Sequence, residues 1–455
     1  MLPLALILRG AGAQVAGSDR SRDQGRTPEK FAWLESLGFA LHPQDGSGIV
    51  SAQQTLVASA AVESTVPEMV RAAELGCPRM SRAELLATLF NFAATRIAIG
   101  GTSGKSTVTG MVGWIMDQAG RDPTIMNGAV MKNYVSLEAP FASARVGATD
   151  SAAGVFVSEV DESDGSIALY DPTVAVLSNV SLDHKSLDEL RSLFGAFVQR
   201  AAVAVINSDD AEATALGPLA KSLISFGIDS PTAMIGVVPG SLVEAPTGLS
   251  ATILDRRDGT SARLELKVPG RHNLANALAA VAGCNAAGVD ITQAVQALGT
   301  FDGLARRFDI VGTSPAGVTV IDDFGHNPDK IAATLQTLKA HPGRIIAFFQ
   351  PHGYGPLRQM GAELAQTFAR LLGPDDLTIL CDPVYFGGTV DQTEGSERIV
   401  RLIREAGGKA EYIPDRDDCA AQIARLVRPG DRVVIMGARD DTLALFARDL
   451  LACID

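Results

Sequence analysis

Residues 96–107 have the sequence RIAIGGTSGKST, in which a β-branched apolar run leads into a glycine-rich turn. Apolar residues then recur at helical spacing, so the pattern predicts a strand, a turn and a helix. Backbone N–H groups of such a turn can cradle phosphates, with Lys105 reaching the terminal phosphates and Ser106 a Mg²⁺ ion. The strict phosphate-loop pattern has glycine where this sequence has Ile99, so the prediction depends on the strand–turn–helix context. The alternative is a tight turn with a solvated lysine.

The length and charge of the chain limit its class. Its 455 residues are about three times the ~150 of a typical domain, so two or three domains are expected. With 39 basic and 52 acidic residues the formal net charge is −13, which argues against nucleic acid and anionic membranes as partners. Hydrophobic residues make up 46% and charged residues 20%, as in an ordinary soluble globular protein.

The cysteines and the apolar runs indicate the compartment. The five cysteines are odd in number, scattered and without CxxC spacing, so neither a zinc site nor a disulfide framework is indicated. No apolar run reaches the roughly eighteen residues needed to span a bilayer, and the opening MLPLALILRG lacks the features of a signal peptide. We therefore expect a cytoplasmic protein.

Strand and helix patterns alternate along the chain, which predicts an α/β fold. The opening segment predicts a short apolar helix ending at Gly10 or Gly12, followed by a strand that ends in Asp19. In the middle of the chain the strand patterns are continuously apolar, which predicts a parallel sheet covered on both faces, with a small antiparallel insert over 225–268. A further alternation of nucleotide-binding type begins near Phe301. The predicted domains are 1–93, 94–298 and 299–455.

A cluster of carboxylates follows the apolar strand at 155–160. Glu159, Asp161, Glu162 and Asp164 could face the phosphates and hold a hard cation, with Glu159 the preferred ligand. A solvated acidic turn is an equal alternative for the other three. His184 ends the next strand region, although Mg²⁺ prefers oxygen and a single histidine is more often structural.

Polar residues later in the chain are further candidates. Asn273 and Asn276 stand at the start of a predicted helix, where they could bond an adenine edge or a phosphate; N-capping by Asn273 competes with that interpretation. The pair Arg306-Arg307 could supply an anion partner, and the run 322–328 a ribose acceptor. Either could be ordinary surface.

Taken together and in this order, these residues resemble the Mur ligase family of ATP-dependent amide-forming enzymes of cell-wall precursor synthesis. The similarity covers nearly the whole chain, and the set of motifs is far more specific than any single motif in it. The matching segments are GSD at 17–19, ASA at 58–60, SRAE at 81–84, GTSGKST at 101–107, EVDESDGS at 159–166, SNVSLDH at 178–184, GRHNLAN at 270–276, LARRFD at 304–309 and DDFGHNP at 322–328.

The resemblance implies a Rossmann-like N-terminal domain for a UDP-linked substrate, a central P-loop ATPase-type domain and a Rossmann-like C-terminal domain. It implies catalytic roles for Lys105, Glu159, His184 and Arg307, and a Mg²⁺ site at Ser106, Glu159 and His184. The implied ATP-binding residues are Gly101, Thr102, Ser103, Gly104, Lys105, Ser106, Thr107, Asn273, Asn276, Arg307 and Asp323. The implied substrate residues are Asp19, Ser59, Asn133, His326 and His352.

The same resemblance implies the reaction. The carboxylate of a UDP-N-acetylmuramate-like acid would be phosphorylated by ATP to an acyl phosphate, which the amine of an amino acid or peptide then attacks. Transfer between anions needs cations to neutralise the moving charge, which the lysine, Mg²⁺ and the arginine would supply. The protein is expected to be a monomer or a homodimer.

The sequence departs from the family pattern at three places, and these departures bear on the predicted substrate more than on the predicted chemistry. The family's N-terminal glycine-rich loop is absent, so we expect that the domain is truncated and that Met1 is internal to a longer reading frame. At 349–358 the sequence FQPHGYGPLR has Gly353 and Pro356 where the alanine-adding branch has arginines for the acceptor's carboxylate. Asn327 replaces a histidine of that branch.

These departures leave other functions open. A ligase with a different acceptor or acid is one alternative, as in tripeptide recycling ligases or enzymes that act on folate-like or polyamino-acid substrates. A protein that binds ATP and has lost catalysis is the other.

Overall fold

The computed structural model describes residues 1–59, 62–147, 154–181, 185–384, 392 and 394–454. The chain divides into two compact units. Unit 1 comprises Met1–Leu242, Ser250–Leu266 and Leu274–Asp302, and unit 2 comprises Val243–Leu249, Lys267–Asn273 and Gly303–Asp455. The borders at 93/94 and 298/299 stay a prediction. None of the described helices is long and apolar enough to cross a membrane.

Helices and strands alternate through most of the chain. The α-helices are α1 Leu2–Gly10, α2 Arg20–Asp23, α3 Pro28–Ser36, α4 Pro67–Leu75, α5 Arg82–Phe92, α6 Lys105–Gln118, α7 Leu187–Arg200, α8 Ala211–Ala215, α9 Arg271–Ala286, α10 Ile291–Leu298, α11 Pro328–Lys339, α12 Tyr354–Leu371, α13 Ser396–Glu405, α14 Arg416–Leu426 and α15 Leu443–Cys453. Short 3₁₀ turns lie at Lys132–Tyr134, Ser166–Leu169 and Gly217–Leu219.

The strands in chain order are β1 Ala16–Ser18, β2 Ala40–His42, β3 Leu56–Ala58, β4 Arg79–Ser81, β5 Thr95–Gly100, β6 Thr124–Met126, β7 Ala144–Arg145, β8 Val155–Glu159, β9 Val174–Leu177, β10 Val203–Asn207, β11 Leu223–Gly227, β12 Ile235–Val237, β13 Val243–Ala245, β14 Gly248–Asp255, β15 Ser261–Leu266, β16 Asp309–Thr313, β17 Thr319–Asp323, β18 Ile345–Gln350, β19 Leu377–Leu380, β20 Ala410–Tyr412 and β21 Arg432–Gly437.

The first part of unit 1 contains two small parallel strand pairs, β1 with β2 and β3 with β4. The predicted opening helix is confirmed as α1, and its buried Leu4 and Ile7 belong to the same hydrophobic cluster as Phe90 of α5. Ser81 and Glu84 form the predicted capping box at the start of α5, which satisfies backbone N–H groups that the first helical turn leaves unpaired.

The main sheet of unit 1 carries the phosphate-loop segment. Its order runs β14–β12–β11–β10–β9–β5–β8–β6–β7, and β5, β8, β9 and β10 are mutually parallel as predicted. β11, which overlaps the predicted antiparallel insert, also pairs in parallel with β10. The antiparallel segment within 225–268 extends this sheet, because β12 pairs in parallel with β11 and antiparallel with β14. The loops after β5, β8 and β9 therefore leave the same carboxyl edge, where ligands of parallel sheets bind.

Unit 2 is a second doubly wound sheet, with the order β16–β17–β21–β18–β19–β20. All its pairings are parallel except that of the edge strand β16 with β17. Helices α11, α12 and α13 pack on one face, and α14 and α15 on the other. The carboxyl ends of β17, β21 and β18 are adjacent at one edge, as expected for a Rossmann-like arrangement.

Candidate functional site

The predicted phosphate loop connects β5 to α6 and has a backbone that requires glycine. Gly101 has φ +136° and Gly104 has φ +82°, values that L-residues with a Cβ rarely adopt. A Cβ on Gly104 would also lie 2.5 Å from Asn276 Oδ1. The predicted order of strand, turn and helix is confirmed, since the loop leads directly into the N-terminus of α6. Asn276 of α9 lies beside the loop.

Lys105 is held at the mouth of this loop by two acceptors. Its Nζ donates to Gly101 O and to Glu162 Oε2, each at 2.7 Å. The Glu162 side chain is only 5% exposed and the Lys105 side chain 20% exposed. A buried carboxylate needs a partner charge, so Glu162 fixes the ammonium beside the loop.

Ser106 faces the carboxylate of Glu159. Its Oγ donates to Glu159 Oε2 at 2.8 Å, which brings two of the three predicted metal-binding residues together. The buried amide of Asn127 donates to Ser106 O at 3.0 Å, which orders the first turn of α6. A Cβ on Gly128 would collide with Glu159 Oε1, so the glycine leaves room for that carboxylate.

Asn179 shapes the loop from the neighbouring strand, and the sequence analysis did not single it out. Its Oδ1 accepts from Thr102 Oγ1 at 2.8 Å and from Ser103 N at 2.9 Å, while its Nδ2 donates to Ser103 O at 3.0 Å. Ser181 N donates to Thr102 Oγ1 at 3.1 Å. The available signal was its place directly after β9, in the SNVSLDH segment where only the histidine was chosen.

The other two carboxylates of the acidic cluster stabilise their own turn. Asp161 accepts from Ser163 N at 2.8 Å and from Ser163 Oγ at 2.7 Å, and Asp164 accepts from Ser166 N at 2.9 Å. Burial alone would raise the pKa of Asp161, but these hydrogen bonds and nearby cations outweigh it and hold that pKa below its usual value. The four carboxylates thus divide into two that face the loop and two that form the turn.

Four further predicted residues of unit 1 lie among the described residues. His184 lies outside the described residues. Thr107 is half-buried in the first turn of α6, next to Ser106. Asp19 accepts from Ser21 N as the N-cap of α2, and Ser59 follows β3. Asn133 bonds the segment 300–302: Nδ2 donates to Thr300 O at 2.8 Å and to Asp302 Oδ2 at 3.4 Å, and Oδ1 accepts from Asp302 N at 2.8 Å.

In unit 2, Asn273 is the third residue of α9, so the alternative of N-capping by Asn273 is wrong. Its Nδ2 donates back to Pro269 O at 2.7 Å. The Arg307 guanidinium lies over the ring of Phe324, with Cζ 4.3 Å from the ring centroid. Asp323 is buried and accepts three hydrogen bonds, from Phe308 N and Gly325 N at 2.8 Å and from Thr334 Oγ1 at 3.0 Å.

The two predicted histidines of unit 2 lie together. The rings of His326 and His352 are edge to face, with centroids 5.0 Å apart. His326 Nδ1 donates to Phe324 O at 2.8 Å, and Lys330 Nζ lies 3.5 Å from Nε2. Burial, reinforced by the Lys330 charge, lowers the pKa of His326 to about 3. His326 is therefore neutral at physiological pH.

At 353–356, where the sequence differs from the pattern expected by resemblance, the backbone conformation suits the residues that are present. Gly353 has φ +140° and forms the N-cap of α12, so an arginine there would be strained. Pro356 lies in the first turn of α12, where its missing N–H costs no helical hydrogen bond.

The fold and this loop define an α/β protein of the class that binds nucleotide phosphates at a sheet edge. Three family models match the chain: "Mur ligase family, catalytic domain" at residues 1–93, "Mur ligase middle domain" at 99–284 and "Mur ligase, glutamate ligase domain" at 306–439. The chain belongs to the Mur ligase family, as its motifs predicted.

Relatives match over almost the full chain. A UDP-N-acetylmuramate–L-alanine ligase from Clavibacter michiganensis subsp. michiganensis is 34% identical over 449 residues, which is 97% of this chain and 88% of that protein. One from Rhizobium meliloti (strain 1021) is 34% identical over 456 residues, covering 96% and 91%.

Two solved structures show the same fold. The UDP-N-acetylmuramate-alanine ligase MurC of Thermotoga maritima superposes with a TM-score of 0.80 at 24% identity, covering 99% of this chain and 96% of that one. A murein peptide ligase from Psychrobacter arcticus superposes with a TM-score of 0.70 at 23% identity, covering 100% and 96%.

Proposed function

We propose that this protein is an ATP-dependent ligase that joins an amino acid to the carboxylate of a UDP-N-acetylmuramate-like acid through an acyl phosphate, in peptidoglycan precursor synthesis. The observation that carries the proposal is the loop at 101–107, where Lys105 and Ser106 each meet a carboxylate. The 34% identity to UDP-N-acetylmuramate–L-alanine ligases over 97% of the chain supports the substrate class. An ATP-consuming step on a nucleotide-linked acid is expected in the cytoplasm.

The loop suits the phosphates of ATP. Its glycines at 101 and 104 have positive φ, and the loop ends at the N-terminus of α6, where the helix dipole favours anions. In this proposal Lys105 contacts the terminal phosphates, and Asn276, whose Oδ1 lies beside Gly104, contacts the nucleotide. Asn273, Arg307 and Asp323 are proposed as further nucleotide ligands.

The residues at Ser106 suit Mg²⁺, because hydroxyl and carboxylate oxygens are the ligands this ion prefers. Ser106 Oγ and Glu159 would hold it, with His184 a third proposed ligand. Mg²⁺ usually keeps several waters and binds together with substrate phosphates, so these would complete the shell. When bound, Mg²⁺ would offset negative charge on the phosphates during transfer.

The protein's own groups perform the remaining work. A carboxylate is a poor acyl donor, so phosphorylation must precede amide formation, and two anions have to approach each other. Lys105, positioned by Glu162, would stabilise the charge that moves to the leaving phosphate. Asp19, Ser59, Asn133, His326 and His352 remain proposals for substrate binding; the Asn133 amide would have to exchange its present backbone partners to take part.

A second candidate is the same ligase chemistry with an acceptor other than L-alanine. The observation that favours it is Gly353, whose φ of +140° belongs to a backbone built for glycine where the alanine-adding branch has an arginine. A tripeptide, or a different acid altogether, would then be used.

The test follows phosphate release and product mass for the full chain with ATP, Mg²⁺ and UDP-N-acetylmuramate. Single amino acids and the cell-wall tripeptide are offered in turn. A mass gain of one alanine identifies the first candidate, and a gain with another acceptor the second. Lys105→Met should lower turnover about 100- to 1000-fold, whereas Lys221→Met, at an exposed lysine before β11, should leave it unchanged. ATP binding without phosphate release with any acceptor would contradict both candidates.

A further inference from the structure

The backbone on both sides of Arg307 is strained. Arg306 has φ +61° and Phe308 has φ +49°, although neither is glycine. A left-handed conformation is unfavourable for an L-residue with a Cβ, so such a pair persists only where surrounding contacts impose it. The backbone between them places the Arg307 guanidinium 4.3 Å from the Phe324 ring centroid.

The Arg306 side chain supplies the imposing contacts. Its Nη1 donates to Asp440 O at 2.9 Å and its Nη2 to Gly437 O at 2.8 Å, while Nε meets Asp322 Oδ1 at 3.3 Å. The Arg306 and Asp322 side chains are 11% and 2% exposed. Arg306 thus ties its segment to the carboxyl ends of β17 and β21 through three of its five N–H donors.

The backbone continues this attachment. Arg306 O accepts from Phe324 N at 2.8 Å, and Phe308 N donates to Asp323 Oδ2 at 2.8 Å. Both residues that flank Arg307 are therefore fixed to the β17 end and the loop that follows it. The same loop carries the ring on which the Arg307 guanidinium rests.

We propose that Arg306 is a positioning residue, which holds the strained segment at 306–308 so that Arg307 is presented in a single orientation. The inference rests on the proposed function, in which Arg307 contacts the phosphates of ATP. Of two adjacent arginines, one is structural and buried and the other performs the contact. A loss of Arg306 acts on turnover only through Arg307.

The kinetic test is a double-mutant cycle on the full chain, with ATP, Mg²⁺, UDP-N-acetylmuramate and the acceptor that supports turnover. Arg306→Asn tolerates the left-handed backbone but removes the anchor. It should lower kcat about 100-fold, the size expected for misplacing a catalytic group by about 1 Å, with the KM for ATP within about threefold. In an Arg307→Ala background it should cost nothing further.

Arg344→Asn is the matched control. Arg344 forms a similarly buried ion pair with Asp431 at 2.6 Å, before β18 and β21 and so at the opposite edge of the same sheet. Its effect on kcat should add to that of Arg307→Ala. If Arg306→Asn fails to fold, Arg306→Lys keeps the charge and loses the fork, and the same non-additivity is expected.

A second measurement needs no activity. Hydrogen exchange of the peptide spanning 304–325, without nucleotide, should quicken at least tenfold in Arg306→Asn and stay at the wild-type rate in Arg344→Asn. Unchanged exchange, or losses that add in the cycle, would overturn the positioning role. Absence of ligation by the wild-type chain would instead contradict the proposed function, and with it the catalytic meaning of Arg306.

Discussion

Lys105→Met should weaken the fold as well as the reaction, because Lys105 neutralises a carboxylate in a nearly closed site. The Nζ–Oε2 distance to Glu162 is 2.7 Å, with side-chain exposures of 20% and 5%. At an effective dielectric constant of about 20 the gross attraction at that distance is about 6 kcal/mol, which desolvation opposes. Breaking a buried pair from one side costs roughly 3–5 kcal/mol, and the partial exposure of Lys105 places this case near 3.

A second variant separates stability from catalysis. Lys105→Met combined with Glu162→Gln removes both charges, so no uncompensated carboxylate remains and most of the lost stability should return. Turnover should stay about 100- to 1000-fold down, because no cation then meets the developing phosphate charge. The pair of variants therefore isolates the catalytic part of the lysine's role.

The assay is urea unfolding without nucleotide, beside phosphate release with substrates. Lys221→Met serves as the control for loss of a lysine far from the loop. If Lys105→Met unfolds at the wild-type urea midpoint, or if the double variant is no more stable than the single one, Lys105 does not stabilise the fold by neutralising Glu162.

Three further outcomes are expected. Gly128→Ala should lower turnover at least tenfold and raise the Mg²⁺ concentration for half-maximal rate, since its Cβ would displace Glu159; a wild-type Mg²⁺ titration would contradict this. Gly353→Ala should lower the unfolding free energy by roughly 1–3 kcal/mol because φ is +140°, and an unchanged thermal midpoint would count against it. With a native pKa near 3 and an unfolded value of 6.5, His326 stays neutral while the unfolded chain gains a proton, so stability falls as pH drops below about 6.5. Between pH 7.5 and 5, the unfolding free energy of His326→Gln should fall by about 2 kcal/mol less than that of the wild type. If the two unfolding free energies change equally with pH, the lowered pKa of His326 is refuted.

The local pattern of residues determined much of the fold. The helix after the glycine-rich turn is α6, and the continuously apolar runs are β8, β9 and β10 in the interior of a parallel sheet. Such features depend on periodicity and on burial of both sheet faces, which neighbouring residues express. The motif set also determined the family, since its members recur in a fixed order.

Partners far apart in sequence were decided by the tertiary structure. Ser106 meets Glu159 and Lys105 meets Glu162 across more than fifty residues, because the register of β5 with β8 sets Ile99 opposite Glu159. From the sequence, Glu159 was the preferred ligand, but nothing local distinguished Glu162, which also faces the loop, from Asp161 and Asp164.

The same limit separated the two adjacent arginines and the asparagines. The residue pattern alone made both Arg306 and Arg307 candidates for an anion partner. The packed strand ends of unit 2 bury the guanidinium of Arg306, and this burial could not be seen in the sequence. The family resemblance implied Asn133 for substrate binding, and its amide bonds the segment at 300–302, whereas Asn179, which was not predicted, organises the loop. A sequence by itself thus determines elements, family and candidate chemistry. Which side chain meets which depends on strand register and on burial, and these exist only once the sheets have packed.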